Sequence, residues 1–295
     1  MRSATRLLTV FFSLFLSAAV AQDYIVVGVK GNIKSKKNNK ALRPGDLIPE
    51  TDLLTFRTAE DYVTLYTKEG ARKLARYPEK RFKQKNAVQE LPLIVVDGAA
   101  SVLPVDPYFG KVDDAKKFFS ERGFILFGPD SRLKVPKSLF PLSKALFFYV
   151  NYDFKEDNID KKVDYKSDSV IFVKKNIFKI DGKEVDGKFA ENWRLYYYFQ
   201  PKNKHTFLGK FKPVFPVDER LKEETDVLVN MLKAKNATDE TIVIELAGYM
   251  NQHYGNMIAD DFRQWVAEQY PKLVLPKFEK AAAPVSTALD VPSGK

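Results

Sequence analysis

Two histidines and no cysteine bound the chemistry open to this chain. His205 closes the run Pro201-Lys202-Asn203-Lys204-His205, which has the composition of a turn between strands, so it reads as a solvated turn residue. His253 stands four residues after Tyr249 and next to Tyr254, and reads as a packed or surface ring on a helix. Neither belongs to a G-x-S-x-G, H-E-x-x-H or Cys–His arrangement. Without a thiol there is no thiolate nucleophile, no Cys-ligated zinc, no iron–sulfur cluster and no disulfide. The sequence therefore assigns no catalytic residue, no metal site and no cofactor.

Other groupings have the residue types of a binding site. Asp153, Glu156, Asp157, Asn158 and Asp160 gather the oxygens that a hard cation wants. The glycine of an EF-hand turn is missing, however, and Lys155, Lys161 and Lys162 are interleaved, so the run reads as a solvated hairpin loop. A carboxylate pair for glycoside cleavage would need two acids about 5 to 9 Å apart, which spacing across different strands cannot show. Lys73, Arg76, Lys80, Arg81, Lys83 and Lys85, with Tyr77 and Phe82 among them, offer charge and ring faces to a polyanion, or form a solvated linker. In Tyr196-Tyr197-Tyr198 the period of a strand puts Tyr196 and Tyr198 on one face and Tyr197 on the other. Those two rings, with Trp193, can be a sugar platform, a partner-binding patch, or packing beneath the terminal helices. The candidate ligand or partner surface is thus Trp193, Tyr196, Tyr198, Arg76, Arg81 and Phe82. Asn236-Ala237-Thr238 matches a glycosylation acceptor and reads as a helix start.

These residues must be positioned by strands and helices that the apolar pattern marks out. From Asp23 to about Tyr77 short strands alternate with turns. Tyr24-Ile25-Val26-Val27 runs to Gly28, Lys36-Lys37-Asn38-Asn39-Lys40 is a polar tip, and Arg43-Pro44-Gly45-Asp46 is a second turn. Tyr62-Val63-Thr64-Leu65-Tyr66 then alternates, with Val63 and Leu65 on one face. The order Val27-Gly28-Val29, Leu42, Gly45-Asp46, Ile48, Asp52, Leu54 and the Val63–Leu65 strand resembles the FecR-type periplasmic β-domain over residues 24–75. That resemblance implies a small β-fold that senses other proteins by contact. FecR-type regulators usually add a membrane segment and a cytoplasmic portion, which this sequence is not expected to contain.

Residues 72–89 read as a basic linker. Beyond it come Leu93-Ile94-Val95-Val96, a helix over 112–122, and Phe124-Ile125-Leu126-Phe127. Residues 145–212 read as an antiparallel meander with a hairpin at Asp181-Gly182. In it, Trp193 to Phe199 pairs with Thr206 to Phe211. Past Pro216 the period becomes helical, at Leu221, Leu228, Met231 and Leu232, at Ile242, Leu246 and Met250, and at Ile258, Phe262, Trp265 and Val266. Asp218 and Thr238 are candidate caps.

The first 21 residues supply an address. Arg2 and Arg6 precede an apolar run of about 14 residues that closes on Ala19-Val20-Ala21, the form of an export signal cleaved after Ala21 and shorter than the roughly 20 residues of a membrane-spanning helix. Cleavage lowers the net charge from +10 to +8, and Gln22 at the new amino terminus offers no cysteine for lipid attachment. Charged residues are 29% and hydrophobic ones 45%, enough to bury a core without disulfides, as in bacterial periplasmic or secreted proteins.

The expected organisation is a signal peptide at 1–21, a small β-domain at 22–77, a basic linker at 78–92, an α+β domain at 93–276 and a disordered tail at 277–295. The fold class is α+β: a small all-β domain, then an antiparallel sheet with three C-terminal helices. The expected role is that of a non-enzymatic interaction or scaffold component of the cell envelope, with other envelope proteins as partners. The alternative is an envelope polysaccharide-binding or polysaccharide-processing protein. Export argues against nucleic acid, and no transmembrane segment is expected after signal cleavage.

Overall fold

The computed structural model describes residues 23–277 except 59, 77–88, 93–94, 98–102, 105–106, 108, 120–122 and 216–217. The expected signal peptide, most of the expected tail, Arg81 and Phe82 lie outside the described residues. The chain separates into two compact units, one reaching to Gly98 and one beginning at Ala99.

The first unit is built of antiparallel strands: β1 (Asp23–Lys30), β2 (Lys34–Ser35), β3 (Lys40–Ala41), β4 (Leu47–Pro49), β5 (Leu53–Phe56), β6 (Tyr62–Thr67), β7 (Arg72–Arg76), β8 (Gln89–Pro92) and β9 (Val95–Asp97). They form one sheet in the order β4-β1-β6-β7-β9 and another in the order β3-β2-β5-β8. Val26, Val29, Ile33, Leu54, Val63 and Leu65 share one aliphatic core. The Gly45-Asp46 turn is held on β1 by two backbone bonds of 2.8 Å, Val26 N–H to Asp46 O and Gly45 N–H to Val26 O. Gly31 adopts a φ of 91°, and a Cβ there would lie 2.1 Å from Asp61 Oδ1, so only glycine fits.

Strand β6 lies between β1 and β7, and Val63, Thr64, Leu65 and Tyr66 are all buried, so both of its faces are covered there. One expectation for this unit is corrected. The basic stretch is not linker throughout, since Arg72–Arg76 pairs with β6 and Gln89–Pro92 pairs with β5. Long cationic side chains mask a strand pattern in which Arg72 and Ala75 are buried.

The second unit is mixed. After α1 (Val112–Phe118) come β10 (Gly123–Ile125), β11 (Asp130–Lys134), β12 (Leu146–Phe154), β13 (Asp157–Lys162), β14 (Asp164–Lys166), β15 (Ser169–Val173) and the single turn α2 (Lys174–Ile177). Then follow β16 (Lys179–Ile180), β17 (Lys183–Glu184), β18 (Ala190–Phe199), β19 (Lys204–Gly209), β20 (Lys212–Val214), α3 (Asp218–Ala234), α4 (Asp239–His253) and α5 (Ala259–Gln269). The principal sheet is antiparallel, in the order β13-β12-β18-β19, beside a three-stranded sheet β11-β15-β14 and the parallel pair β10-β20. These elements, antiparallel sheets and three helices near the carboxyl terminus, constitute an α+β fold.

The core of this unit is aromatic. Phe119, Phe124, Phe172 and Phe211 meet ring to ring at 5.2 to 6.0 Å, distances at which aromatic pairs add to simple burial. α1 stops at Phe118 rather than near residue 122 because Phe119 leaves helical dihedrals, at φ −86° and ψ 11°, and buries its ring in this cluster. α4 begins as its composition predicts, with Thr238 accepting from Thr241 N–H at 3.2 Å and Asp239 and Glu240 in the first turn. A buried carboxylate ties α3 to α4: Glu224 is 0% exposed and accepts from Tyr249 Oη at 2.6 Å, Tyr254 Oη at 2.5 Å and Arg220 Nε at 3.0 Å.

At the end of α4, Gly255 takes a φ of 118°, and a Cβ there would stand 1.9 Å from Gly123 O. Through that contact Asn256 N–H reaches Gly123 O at 2.8 Å and Ile125 N–H reaches Asn256 O at 2.7 Å. Asn256 Nδ2 adds a bond to Phe118 O at 2.8 Å. The helical segment is thus stitched to β10 as if by a further strand.

Candidate functional site

Strand periodicity divides the residues of the principal sheet between an inner and an outer face. On the inner face Phe148, Val150, Tyr152, Trp193, Leu195, Tyr197 and Leu208 are buried in the core. On the outer face β12 presents Phe147, Tyr149, Asn151 and Asp153, and β18 presents Tyr198, Tyr196 and Arg194 opposite them. β19 adds Phe207 opposite Tyr196 and His205 opposite Tyr198. β13 adds Lys162, Asp160 and Asn158 opposite Tyr149, Asn151 and Asp153.

One half of the outer face is a plate of rings. Tyr149 and Tyr196 stack with centroids 5.0 Å apart and planes 9° from parallel. Phe147 meets Tyr198 edge-on at 5.3 Å, Phe207 lies 5.4 Å from Tyr196, and His205 lies 4.5 Å from Tyr198. The Lys162 ammonium sits 4.0 Å from the Phe147 ring centroid, a cation–π contact. The rings are half-buried, with Phe207 43% exposed. The phenol of Tyr149 is pushed up to about 12 by burial first, then by Asp160 and the neighbouring tyrosines. It lies 2.9 Å from His205 Nδ1.

The other half is a polar network. Asn151 Nδ2 donates to Asn158 Oδ1 at 2.6 Å and to Asp160 Oδ1 at 2.8 Å, while Asn151 Oδ1 accepts from Arg194 Nη1 at 2.8 Å. Asp153 accepts from Asn158 Nδ2 at 2.8 Å and from Asn192 Nδ2 at 2.7 Å, with Arg194 Nη1 3.9 Å away. The amides of Asn192 and Asn158 hold the Asp153 carboxyl below its ordinary value, and the Arg194 charge adds to them. Asn192 reaches Asp153 because it sits in a bulge: the β12–β18 register shifts between Asn151 and Asp153, and Asn192 has a φ of 51°. Such an insertion re-aims a side chain without ending the ladder.

The residues singled out by sequence separate here. Tyr196 and Tyr198 lie together on the outer face, and Tyr197 lies on the inner one, donating to Pro141 O at 2.6 Å. Trp193 is not with them. It is 9% exposed in the core, stacked on Tyr152 at 4.3 Å, with Nε1 donating to Ala190 O. Arg76 ends β7 in the first unit. His205 is a strand residue at the start of β19 rather than a turn residue, exposed and in contact with two tyrosines. The acidic run is not a loop: its turn is short, and Asp157, Asn158 and Asp160 are β13 residues.

Sequence reasoning did not find Phe147, Tyr149, Asn151, Arg194 or Phe207 as surface residues. Their period-2 spacing within β12 and β18 is the signal that groups them, but the pairing of the strands is what makes them one surface. Among the described residues no cluster of three or more His, Cys, Asp or Glu side chains has the geometry of a metal site. No helix among them is long and apolar enough to cross a membrane. Comparison with protein-family models, with curated proteins and with solved structures gives no match to this chain.

Proposed function

We propose that this chain is an exported, non-enzymatic binding protein of the cell envelope, and that the outer face of its principal sheet recognises polysaccharide. The observation that supports it is the juxtaposition of the Tyr149, Tyr196, Tyr198 and Phe207 rings with the Asn151, Asp153, Asn158 and Arg194 network. A sugar ring has the same two-sided character. Its C–H face packs on an aromatic plane, and its hydroxyls both donate and accept, matching amide, carboxylate and guanidinium groups held on one sheet face. Half-buried rings offer that plane without the cost of ordering long side chains. The same surface suits an extended glycan better than a small metabolite, because it is a broad sheet face rather than an enclosed pocket.

Titration of the purified mature chain with envelope polysaccharide tests the reading. Tyr196→Ala is expected to weaken binding by about ten-fold, or about 1.4 kcal/mol, and Arg194→Gln by a similar factor, with folding preserved in both. Saturable binding unaffected by either change would remove the surface from consideration. Turnover of the glycan would contradict the non-enzymatic part. The address is tested separately, by amino-terminal sequencing of the native protein. A mature chain starting at Gln22 is expected, and an intact Met1 in the cytosol would overturn export. The FecR-type resemblance of the first unit fits a role in contact with other envelope proteins. Cross-linking through that unit alone tests it.

A further inference from the structure

A second surface of the same unit lies on the other side of β18. Residues of α2, β17, the start of β18 and β20 enclose a groove of about 1480 Å³, larger than the roughly 300 to 1,000 Å³ typical of small-ligand pockets. Its floor is aromatic. Phe178 stands 5.6 Å from Trp193 and 5.2 Å from Phe215, edge to face in both pairs, and Val185 and Val214 continue the apolar lining.

Its rim is cationic. Five basic side chains line it against three acidic ones, and one of the acids, Glu184, already pairs with Lys175 at 3.6 Å. Lys174 lies 5.0 Å from the Phe215 ring centroid, where its charge is over the floor. Lys210 and Lys212 stand exposed at the edge and make no salt bridge among the described residues.

A floor of three aromatic rings beside Lys174, Lys210 and Lys212, which form no ion pair among the described residues, is complementary to a molecule with an apolar chain and an anionic end. We propose that the groove binds a single-chain phosphate amphiphile, its alkyl chain along Phe178, Trp193 and Phe215 and its head group among Lys174, Lys210 and Lys212. A phosphate suits the rim better than a carboxylate, because it carries more charge and offers oxygens in several directions to lysines that arrive from different elements. Asn192 and Arg194 border both surfaces, but the residues assigned to the alkyl chain and to the head group, Phe178, Trp193, Phe215, Lys174, Lys210 and Lys212, are not part of the outer-face plate, so the inference does not rest on the glycan reading.

The chain reports on its own groove. Of its two tryptophans, Trp193 lines the floor and Trp265 packs elsewhere, against Phe127 and Tyr270. In a Trp265→Phe background, palmitoyl lysophosphatidate below its micellar concentration is expected to shift Trp193 emission saturably. Palmitate should bind more weakly, and hexadecanol and inorganic phosphate weaker by roughly ten-fold or more. The double change Lys210→Gln and Lys212→Gln should reduce lysophosphatidate affinity by roughly ten-fold while leaving hexadecanol binding unchanged.

Equal affinity for hexadecanol and lysophosphatidate, an unaffected double variant, or a response confined to micelles or anionic vesicles would each overturn the proposal. Preferential binding of an acidic apolar peptide would overturn it too. Isothermal titration of the unmodified chain with the same panel decides the matter if Trp265→Phe fails to fold. Tyr196→Ala should leave all these affinities as they are, so the two surfaces stand or fall separately.

Discussion

The two faces of the principal sheet are made from nearly the same residues and behave as opposites. Phe148, Tyr152 and Tyr197 on the inner face are buried among other rings, with each phenol donating to a backbone carbonyl, Tyr152 to Ile177 O and Tyr197 to Pro141 O. Phe147, Tyr149, Tyr196 and Tyr198 on the outer face are half-exposed, and the phenols of Tyr149 and Tyr198 meet side chains instead, His205 Nδ1 and Asn203 Oδ1. Aromatic content therefore says little about role. What differs is the partner: backbone, which fixes a ring for good, or side chains and solvent, which a ligand can replace.

The sharpest way to break that contrast uses two neighbours in sequence. Phe148→Ala, at 2% exposure, is expected to cost about 3 to 5 kcal/mol of stability, and Phe147→Ala less than about 1 kcal/mol. Chemical denaturation of both variants checks this, and equal losses would mean that the outer face is core as well.

Carboxylates extend the comparison. Asp153, on the open face, is held below its ordinary value, so its contribution is present above the ordinary carboxylate pKa and fades as pH falls through its lowered folded value. Asp261 in α5 is the reverse. Burial pushes it up to about 6, aided by Asp130 and Asp260 and opposed by Ser131 and the Arg132 backbone, and its Oδ2 is buried with no hydrogen-bond partner among the described residues. Its ionisation is therefore unfavourable to the folded state, and stability declines as pH rises from 3.8 to about 6. Asp261→Asn should stabilise the protein by on the order of 2 kcal/mol above that window and by almost nothing below it. Thermal unfolding across pH measures this, and a gain independent of pH would refute the assignment.

Smaller effects refine the same division. Tyr152→Phe removes a buried donor and should cost about 1 kcal/mol, whereas Tyr149→Phe should leave the melting temperature nearly unchanged. Lys162→Ala, which removes the cation from the Phe147 ring, should cost roughly 0.5 kcal/mol and less at high salt.

Much of this was legible in the sequence where the determinants are local. The Asp181-Gly182 hairpin, the Thr238 cap, the three terminal helices and the sidedness of Tyr196 and Tyr198 all follow from spacing of a few residues. What escaped depends on distant pairing. Nothing near Asn151 announces that Arg194 will stand opposite it, and no residue pattern marks the bulge at Asn192. Trp193 shares the parity of Tyr197 rather than that of Tyr196 and Tyr198, so strand spacing alone places it on the inner face, where the structure buries it. Strand Arg72–Arg76 was hidden because its lysine and arginines have polar tips on apolar stems. The Glu224 cluster was invisible for the same reason in reverse, as a glutamate on a polar-looking helix gives no hint of one phenol waiting on the next helix, at Tyr249, and a second just past its end, at Tyr254.

The seam at Gly123 and Asn256 sets a schedule for folding. Its side-chain bond joins residues 138 positions apart, and contacts of such separation close late because the loop entropy must be lost before they return anything. A chain interrupted before Gly255 would retain every strand of the principal sheet and still lack the peptide groups that complete β10. Phe124 and its ring neighbours would then remain underprotected until Asn256 had been added. The slowest and most vulnerable moment in this protein's maturation is therefore expected at that joint, where amide exchange in a truncated chain should be fastest relative to the intact one.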